Sequence, residues 1–358
     1  MSQIRVRRSP FGISASGTDV TRFDLDAEDG SGISVLDFGA VVLEVRVPDR
    51  DDRVENVVLG HPNLADYERN APYLGAIVGR CGGRIAGASF DLDGVSYRLA
   101  ANDGGNHLHG GPGGFHLRPW QAEVHVRDHE GAEVVLRRTS PDGEEGYPGE
   151  LEVEARIGWN LQCEMRIVTT AVTNAPTLVN LVHHGYWNLA GEGSGSVDLH
   201  RLAVAADEYL PVESGLLPTG ELAAVEGTPF DLRHGPRIGD VVRIDERQLQ
   251  IAPGIDHTFV LGAQGEDGLS DAATLIDEES GRRLHIRTNQ PGLQVYTGNN
   301  LDGRVVGRSG RSYRQGDGVA LEPQRFPDAV HHPHFPSVVL RPGERYRSES
   351  VFAFDVAS

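Results

Sequence analysis

Hydrophobic and polar residues alternate with a period of two along most of this chain, which is the pattern of β-strands that bury one face. Tyr346 to Phe354 (YRSESVFAF) alternates strictly, and Phe90 to Leu99 alternates on both sides of Asp93-Gly94, a dipeptide typical of tight hairpins. Helical periodicity over more than two turns is absent, and only Asn63 to Glu68 predicts a short helix. Other segments that predict strands are Ile33 to Val47, Glu123 to Val126, Glu133 to Arg137, Leu151 to Ile157, Met165 to Val172, Thr274 to Ile276 and Arg283 to Ile286.

Turn residues divide these segments evenly. The 45 Gly and 20 Pro are spread over 358 residues, and no Pro-, Gly- or Ser-rich linker or internal repeat interrupts them. Many strands joined by short turns indicate a β-sandwich or a β-barrel. For a chain of this length we expect large, many-stranded stacked sheets in a single all-β domain over residues 1–358.

The charge balance limits the possible partners. The 33 basic and 52 acidic residues give a formal net charge of −19, which repels nucleic-acid phosphates and anionic membrane surfaces. We therefore expect neither nucleic acid nor a membrane as partner. A neutral small molecule is compatible with this charge, which itself favours solubility.

Cysteine usage and the N-terminus indicate a cytoplasmic protein. Cys81 and Cys163 lie in different segments and form no Cys-x-x-Cys pair, so we expect free thiols in a reducing compartment. The N-terminal MSQIRVRRSPFG lacks the apolar run of a secretory signal, and no stretch has the length of a membrane span.

Five segments break the strand pattern and concentrate His, Asn, Gly and aromatic residues, as loops that line a groove do. In GRCGGRI, Arg80 and Arg84 offer donors for hydroxyls or a carboxylate, although a loop arginine paired with a surface acid explains either one. In NHLHGG, His107 and His109 point to the same side if the segment is extended. We favour hydrogen bonding over metal ligation for this pair, because no Cys or acid nearby completes a zinc spacing.

The third segment, NLVHHGYWNLAG, combines two imidazoles with two large aromatic side chains. Aromatic faces stack on sugar rings, and an imidazole such as His183 or His184 transfers protons near neutral pH. A core strand that contains one buried histidine is the alternative.

The fourth and fifth segments supply carboxylates. Asp256 beside His257 is placed to orient a proton carrier or bind a hydroxyl, and a plain Asx turn is an equally good explanation. Glu322 follows the apolar run Val319 to Leu321 and precedes a proline, so it is a candidate base, with an exposed turn acid as the alternative. The separate cluster at residues 331–334 (HHPH) suggests a metal site, but prolines interrupt it and no acid lies close, so we predict a loop.

Taken in order, these segments resemble the aldose 1-epimerase family. Its members carry GR-x-x-N-R-I, LHGG, N-H-S-Y-F-N-L, DH-x-F, QPG-x-Q-x-YTGN and LE-x-Q-x-x-PDA, where this chain reads GRCGGRI, LHGG, HHGYWNL, DHTF, QPGLQVYTGN and LEPQRFPDA. Any one motif is weak, but six in order, from about Gly39 to Phe354, are highly specific. The resemblance implies a large antiparallel β-sandwich of the galactose mutarotase type. It also implies an isomerase that interconverts the α and β anomers of a free aldose without a cofactor.

The resemblance further implies a role for each matching residue. His184 would be the general acid and Glu322 the general base, and no metal is implied. Substrate binding would fall to Arg84, His109, Tyr186, Asp256 and Gln294. Gly83 stands where the family usually has Asn, and His183 stands where Asn usually precedes the acid, which leaves the preferred sugar open.

Anomer exchange sets further expectations for the site. The C1 hydroxyl must lose a proton while the ring oxygen gains one, so we expect base and acid on different sides of the ring, facing each other across it. We also expect Asp256 to favour the protonated imidazole if it lies close. The rivals are a hexose-phosphate 1-epimerase of similar fold, which needs a basic phosphate pocket, and a non-catalytic sugar-binding module. We expect a monomer or a homodimer.

Overall fold

The computed structural model describes residues 3–69, 72–127 and 131–357. The strands of its first half are β1 (Arg5–Ile13), β2 (Asp19–Asp26), β3 (Gly32–Leu36), β4 (Val42–Pro48), β5 (Val54–Asn56), β6 (Ile77–Val78), β7 (Arg84–Ile85), β8 (Ser89–Leu92), β9 (Val95–Arg98), β10 (His107–Leu108), β11 (Gln121–Arg127), β12 (Gly131–Ser140), β13 (Leu151–Trp159), β14 (Glu164–Thr173) and β15 (Thr177–Leu178). The later strands are β16 (Val182–His183), β17 (Tyr186–Trp187), β18 (Arg201–Val204), β19 (Ala206–Tyr209), β20 (Ala223–Ala224), β21 (Asp256–Leu261), β22 (Ser270–Ile276), β23 (Arg282–Thr288), β24 (Gly292–Tyr296), β25 (Asp302–Val306), β26 (Ser312–Arg314), β27 (Val319–Gln324), β28 (Val339–Leu340) and β29 (Tyr346–Val356). Short helices are α1 (Leu64–Tyr67), α2 (Ile238–Val241) and α3 (Arg247–Ile251), and single 3₁₀ turns lie at Ala86–Ala88, Phe115–Leu117 and Glu144–Gly146.

Antiparallel pairing joins these strands into three large sheets. A five-stranded sheet runs β1-β2-β3-β4-β5, and an eight-stranded sheet runs β11-β12-β13-β14-β29-β23-β22-β18. A six-stranded sheet has the order β17-β27-β24-β21-β19-β20. The remaining strands form two-stranded sheets, among them β7 with β10 and β6 with β16. The predicted all-β, antiparallel sandwich is confirmed.

The alternating pattern of the sequence places the core between the sheets. In β13, every second residue from Leu151 to Trp159 is buried, so one face of the eight-stranded sheet packs inward. The largest core cluster contains Leu25 of the five-stranded sheet, Ile157 of the eight-stranded sheet and Leu293 of the six-stranded sheet. Burial of such apolar surface stabilises a fold by about 25 cal/mol per Å².

Several local predictions can be compared with the structure. Asp93 and Gly94 have φ values of 52° and 80°, as a tight hairpin turn requires. The predicted helix is α1, whose first turn is capped by the Asn63 side chain, which accepts a hydrogen bond from the backbone N–H of Asp66. The segment Ile33 to Val47 forms two strands rather than one, because the chain reverses at Gly39 and Ala40, where φ is positive.

The six-stranded sheet uses both of its faces. Phe259, Leu293 and Leu321 lie on the face that packs into the core. The next residues along the same strands point to the other face, and Glu322 of β27, which lies on that face, is buried although it is polar. Within the described part of the chain, no helix is long and apolar enough to span a membrane.

Candidate active site

Three neighbouring strands of the six-stranded sheet carry polar residues on one face. Glu322 of β27 lies opposite Gln294 of β24, and Gln294 lies opposite Thr258 of β21. In the adjacent row, Tyr296 of β24 lies opposite Asp256 of β21. Side chains two residues apart on a strand share a face, so antiparallel register alone brings these groups together.

This polar face forms one wall of a cavity of about 400 Å³. A volume of this size lies within the range of small-molecule sites. Leu210, Val212 and Leu216 give a further wall an apolar surface. All seven residues to which a catalytic or binding role was assigned line the cavity: Arg84, His109, His184, Tyr186, Asp256, Gln294 and Glu322.

His184 and Glu322 form a close pair in the cavity. The distance from His184 Nε2 to Glu322 Oε1 is 3.7 Å, and the two side chains are 5% and 3% exposed. Neighbouring backbone holds the histidine, since its N–H donates to Ala76 O (2.9 Å) and its carbonyl accepts from Gly75 N (2.9 Å). The expectation that the two groups face each other across a ring is wrong, because no ring fits into a gap of this size.

Burial shifts the pKa of both members of this pair toward the neutral form. Burial, with a smaller contribution from the neighbouring His116 imidazole, lowers the pKa of His184 to about 3. Burial also raises the pKa of Glu322 well above its usual range. The negative charge of Asp256 adds to this rise, and the positive charge of Arg84 opposes it. The carboxylate of Asp256 therefore acts on Glu322, whereas we expected it to favour a charged His184.

Asp256 belongs to a network that also holds Arg84. Gln294 Nε2 donates to Asp256 Oδ1 (2.6 Å), and Arg84 Nη1 lies 3.8 Å from Asp256 Oδ2. Arg84 Nε donates to Asp103 Oδ2 (2.7 Å). Burial raises the pKa of Asp256, while the positive charge of Arg84 and the hydrogen bond from Gln294 oppose that rise. The two acids orient the guanidinium along the cavity wall.

His109 is held as a neutral imidazole. Gly83 N–H donates to its Nδ1 (3.2 Å), which therefore carries no proton and leaves Nε2–H as the donor. Burial, with the nearby His184 and Arg84, lowers the pKa of His109 well below 6.5. Gly83 itself has a φ of 78°, a conformation that favours glycine.

His107 and His109 do not point to the same side, so that expectation is wrong. β10 ends at Leu108, and a φ of 50° at His109 turns the chain away. His107 is buried elsewhere, where its Nδ1 bonds to Ala100 O and its Nε2 to Tyr147 OH, both at 2.8 Å. The partners of His107 give it a structural role.

Other residues from the same segments also lie outside the cavity. Arg80 is buried, and its guanidinium donates to Ser140 and to the carbonyls of Pro141 and Pro148. His183 is buried against Trp187, and neither ring nitrogen has a hydrogen-bond partner within the described residues.

An acid does lie close to the HHPH cluster, contrary to expectation. The cluster lies in the loop between β27 and β28, as predicted. There Asp328 Oδ1 lies 2.6 Å from His331 Nδ1, and Asp328 Oδ2 lies 3.7 Å from His332 Nε2. Over residues 3–69, 72–127 and 131–357, no group of three or more His, Cys, Asp or Glu side chains could hold a metal ion.

Three polar groups of the site were not predicted from the sequence. Thr258 follows Asp256 by two residues on β21, so the period-two rule could have placed it on the same face. Asp103 lies in a loop and has no such signal. Tyr73 also lies in a turn, with a φ of 59°, and its ring contacts both His109 and His116 with centroids 4.7 Å apart.

Comparisons with known proteins agree with this architecture. The sequence profile of the family described as aldose 1-epimerase matches residues 21–353. The galactose mutarotase of Sus scrofa is 42% identical over 356 residues, which cover 99% of this chain and 100% of the relative. The aldose 1-epimerase of Escherichia coli K12 is 38% identical and covers 91% of this chain and 92% of its own. The crystal structure of galactose 1-epimerase from Lactobacillus acidophilus NCFM superimposes with a TM-score of 0.87, at 29% identity and with 99% and 100% of the two chains covered.

Fold and site together define an antiparallel β-sandwich protein with a buried small-molecule cavity equipped for acid–base chemistry. Within that class, the match of the family profile over residues 21–353 and the full-length relatives identify the family. The chain belongs to the aldose 1-epimerase family.

Proposed function

We propose that this protein is an aldose 1-epimerase, which interconverts the α and β anomers of a free sugar of the galactose or glucose type. The observation that carries the proposal is the buried pair of His184 and Glu322, 3.7 Å apart in a polar cavity. Membership of the family, and relatives named galactose mutarotase and aldose 1-epimerase, support it.

The proposed reaction moves one proton in each direction. Glu322 takes the proton of the C1 hydroxyl, His184 protonates the ring oxygen, the bond from C1 to the ring oxygen breaks, and a carbonyl forms at C1. The open aldehyde then rotates about C1–C2. In ring closure His184 takes the proton back and Glu322 returns one to the carbonyl oxygen, so no atom or electron is gained or lost.

The side-by-side placement of the two groups suits this chemistry. Both oxygens that exchange protons are bonded to C1, so an acid and a base that serve them must be neighbours. The short gap between the side chains of His184 and Glu322 meets that requirement.

A single proton shared by the pair is sufficient for catalysis. Burial favours the neutral carboxyl of Glu322 and the neutral imidazole of His184, which together carry as many protons as the ion pair. Hydroxyl groups of a bound sugar that donate to Glu322 would lower its pKa, and the positive charge of Arg84 already acts in that direction. Transfer of the proton to His184 then produces the reactive base and acid.

We assign sugar binding to the remaining side chains. Arg84 and His109 would donate to hydroxyl oxygens, and Asp256 with Gln294 would grip a pair of hydroxyl groups. Tyr186 is a neutral donor, because burial raises the pKa of its phenol well above 10.

The charges of the cavity favour a neutral sugar over the rival hexose phosphate. Two arginines, Arg84 and Arg304, line it together with three acids, Asp256, Asp302 and Glu322. Since Asp103 already occupies Arg84 Nε, little positive charge is left for a phosphate. A non-catalytic binding module would not require a buried acid–base pair.

We further propose that the protein acts in the cytoplasm on a small monosaccharide, as a monomer or homodimer, without nucleic-acid or membrane partners. Its free cysteines, Cys81 and Cys163, and its net charge of −19 support this setting.

Polarimetry on freshly dissolved α-galactose and α-glucose tests the proposed activity. Glu322→Gln should reduce catalysed mutarotation by about 10²- to 10⁴-fold, because it removes the base and keeps the shape of the side chain. Calorimetry should show sugar binding largely retained. Glu152→Gln, at an exposed acid of β13, is the control and should keep the full rate. A rate of Glu322→Gln equal to that of the unmodified protein would exclude this base.

A further inference from the structure

Asp328 is a buried acid outside the cavity that touches the strand carrying Arg84. It lies in the loop after β27, its side chain is 4% exposed, and its φ is 54°. Asp and Asn adopt this left-handed conformation more readily than other non-glycine residues. Asp328 is absent from the residues that line the cavity.

Two of the hydrogen bonds of Asp328 satisfy the edge of β7 that faces away from β10. β7 pairs along one edge with β10, where Leu108 lies opposite Arg84. In an extended strand the carbonyl of one residue and the N–H two residues later face the same side. On this edge of β7, Asp328 N–H donates to Arg84 O (3.0 Å), and Asp328 Oδ1 accepts from Ala86 N–H (2.9 Å). One residue therefore takes the place of a neighbouring strand.

Two imidazoles hold the Asp328 carboxylate in this position. His331 Nδ1 contacts the same oxygen that accepts from Ala86, at 2.6 Å, and His332 Nε2 lies 3.7 Å from the other oxygen. The loop thus presents a fixed acceptor and a fixed donor to β7.

The geometry ties two walls of the cavity together. Asp328 shares a continuous stretch of chain with Glu322 and Gln324, which line the cavity from β27. The backbone that it binds carries Arg84, whose guanidinium reaches Asp103 and Asp256. A shift of β7 along the edge that Asp328 binds would displace that guanidinium relative to Glu322.

We propose that Asp328 is a positioning residue, which fixes the guanidinium of Arg84 for sugar binding by completing the edge of β7 and never touches the sugar. This inference rests on the proposed epimerase activity. It assigns the role of the HHPH loop, in which His331 and His332 support the carboxylate.

Steady-state kinetics of two variants test the inference. Asp328→Ala should raise KM for the sugar about tenfold and leave kcat within about twofold, because it weakens binding of ground state and transition state alike. Asp328→Asn keeps an acceptor for Ala86 N–H and tolerates the positive φ, so its KM should stay within about threefold of the unmodified protein. Asp93→Asn, at a surface acid paired with Arg341, is the control and should change neither constant.

A double-mutant cycle separates positioning from general damage. If Asp328 acts through Arg84, adding Asp328→Ala to Arg84→Gln should raise KM by less than twofold beyond the single Arg84 variant. If the KM increases of the two single variants multiply in the double variant, the residues act independently and the inference is overturned. A loss of kcat at unchanged KM in Asp328→Ala would also overturn it. If Asp328→Ala does not fold, Asp328→Asn is compared with Asp328→Ser instead. A KM of Asp328→Asn that lies within threefold of the unmodified protein and below that of Asp328→Ser supports the inference. Equal KM values for Asp328→Asn and Asp328→Ser overturn it. Absence of catalysis in the unmodified protein would reject the proposed function instead, and calorimetric sugar affinities of the same variants would still decide the role of Asp328.

Discussion

At the scale of single residues, hydrogen-bond partners distinguish the buried histidines His107 and His184, which occur in similar polar segments of the sequence. Both nitrogens of His107 are bonded, to Ala100 O and Tyr147 OH. His184 Nδ1 has no partner within the described residues, and its Nε2 faces Glu322. A fully bonded imidazole has no free position for a substrate, whereas His184 has one nitrogen directed at the reacting pair.

Replacement of each histidine by asparagine should therefore have different consequences. His184→Asn should reduce catalysed mutarotation by at least about 10²-fold at unchanged folding, because asparagine cannot carry the proton. His107→Asn should leave kcat nearly unchanged and lower the free energy of unfolding by about 1–3 kcal/mol, since it leaves the Tyr147 hydroxyl unsatisfied. Polarimetry and urea unfolding measure both effects. Equal losses of kcat would show that the wrong imidazole was assigned.

The pH profile of kcat/KM should reflect the shifted pKa values of the pair. In the reactive state, Glu322 and His184 share one proton. A second proton binds to the pair only near the pKa of His184, about 3. On the alkaline side, the shared proton is lost only as the pH approaches the raised pKa of Glu322. We therefore expect a plateau on which activity changes little from pH 5 to 6, measured by proton NMR of anomer exchange. A steep rise with pH centred near 6.5 would contradict this assignment.

At the scale of elements, the site depends on how closely β21, β24 and β27 approach one another. Gly292 of β24 lies opposite Gln324, in the row next to Gln294 and Glu322. A Cβ at this position would come within 2.8 Å of Thr258 Cγ2 and 3.0 Å of the Phe326 ring. The absence of a side chain at Gly292 therefore lets β24 pack closely against Thr258 and Phe326.

Gly292→Ala should lower the free energy of unfolding by about 1–3 kcal/mol, because the added methyl group pushes β24 away from Thr258 and Phe326. Mutarotation should slow as well, since Gln294 and Glu322 lose their alignment. Gly262→Ala is the matched control, because a Cβ there meets nothing within 4 Å. Urea unfolding of both variants measures the difference, and equal stabilities would refute the packing argument.

At the scale of the whole molecule, one core joins the three large sheets. The Trp187 ring of the six-stranded sheet lies 5.4 Å from that of Phe352 in the eight-stranded sheet, measured between centroids. That residues 1–358 form a single domain stays a prediction, which this shared core supports. The same burial holds several imidazoles neutral, with pKa values of about 3 or 4 at His116, His183, His184, His200 and His257.

These imidazoles should make the fold sensitive to acid. Each has a lower pKa in the folded than in the unfolded chain, where it is about 6.5. Its stabilising contribution is therefore complete above pH 6.5 and is lost as pH falls toward 3–4, by up to about 1.4 kcal/mol per pH unit for each imidazole. The raised pKa values of Asp37, Asp256 and Glu322 act in the opposite direction.

The free energy of unfolding, measured with urea, should accordingly fall by at least about 2 kcal/mol between pH 6.5 and pH 5. His257→Asn should flatten part of this dependence. The control is His285→Asn, at a partly exposed residue of β23, which should leave the dependence unchanged. A free energy that stays constant over this range would contradict neutral burial of the histidines.

The sequence by itself determined the strands, many of the turns and the identity of the cavity-lining residues that carry the family motifs. Alternation along Leu151 to Trp159 requires an inward and an outward face wherever the strand lies, and Asp93-Gly94 requires a tight turn. These are local consequences of backbone geometry and side-chain type.

Only the tertiary structure decided which of these residues meet. The sheet order β17-β27-β24-β21 places Glu322 beside Gln294, and the pairing of β6 with β16 positions the loop that carries His184. The contact of His184 with Glu322, the separation of His107 from His109 and the seat of Asp328 on β7 all depend on residues far apart in the chain. Burial and pKa depend on the same non-local packing, because desolvation is a property of the assembled surroundings and not of a residue type.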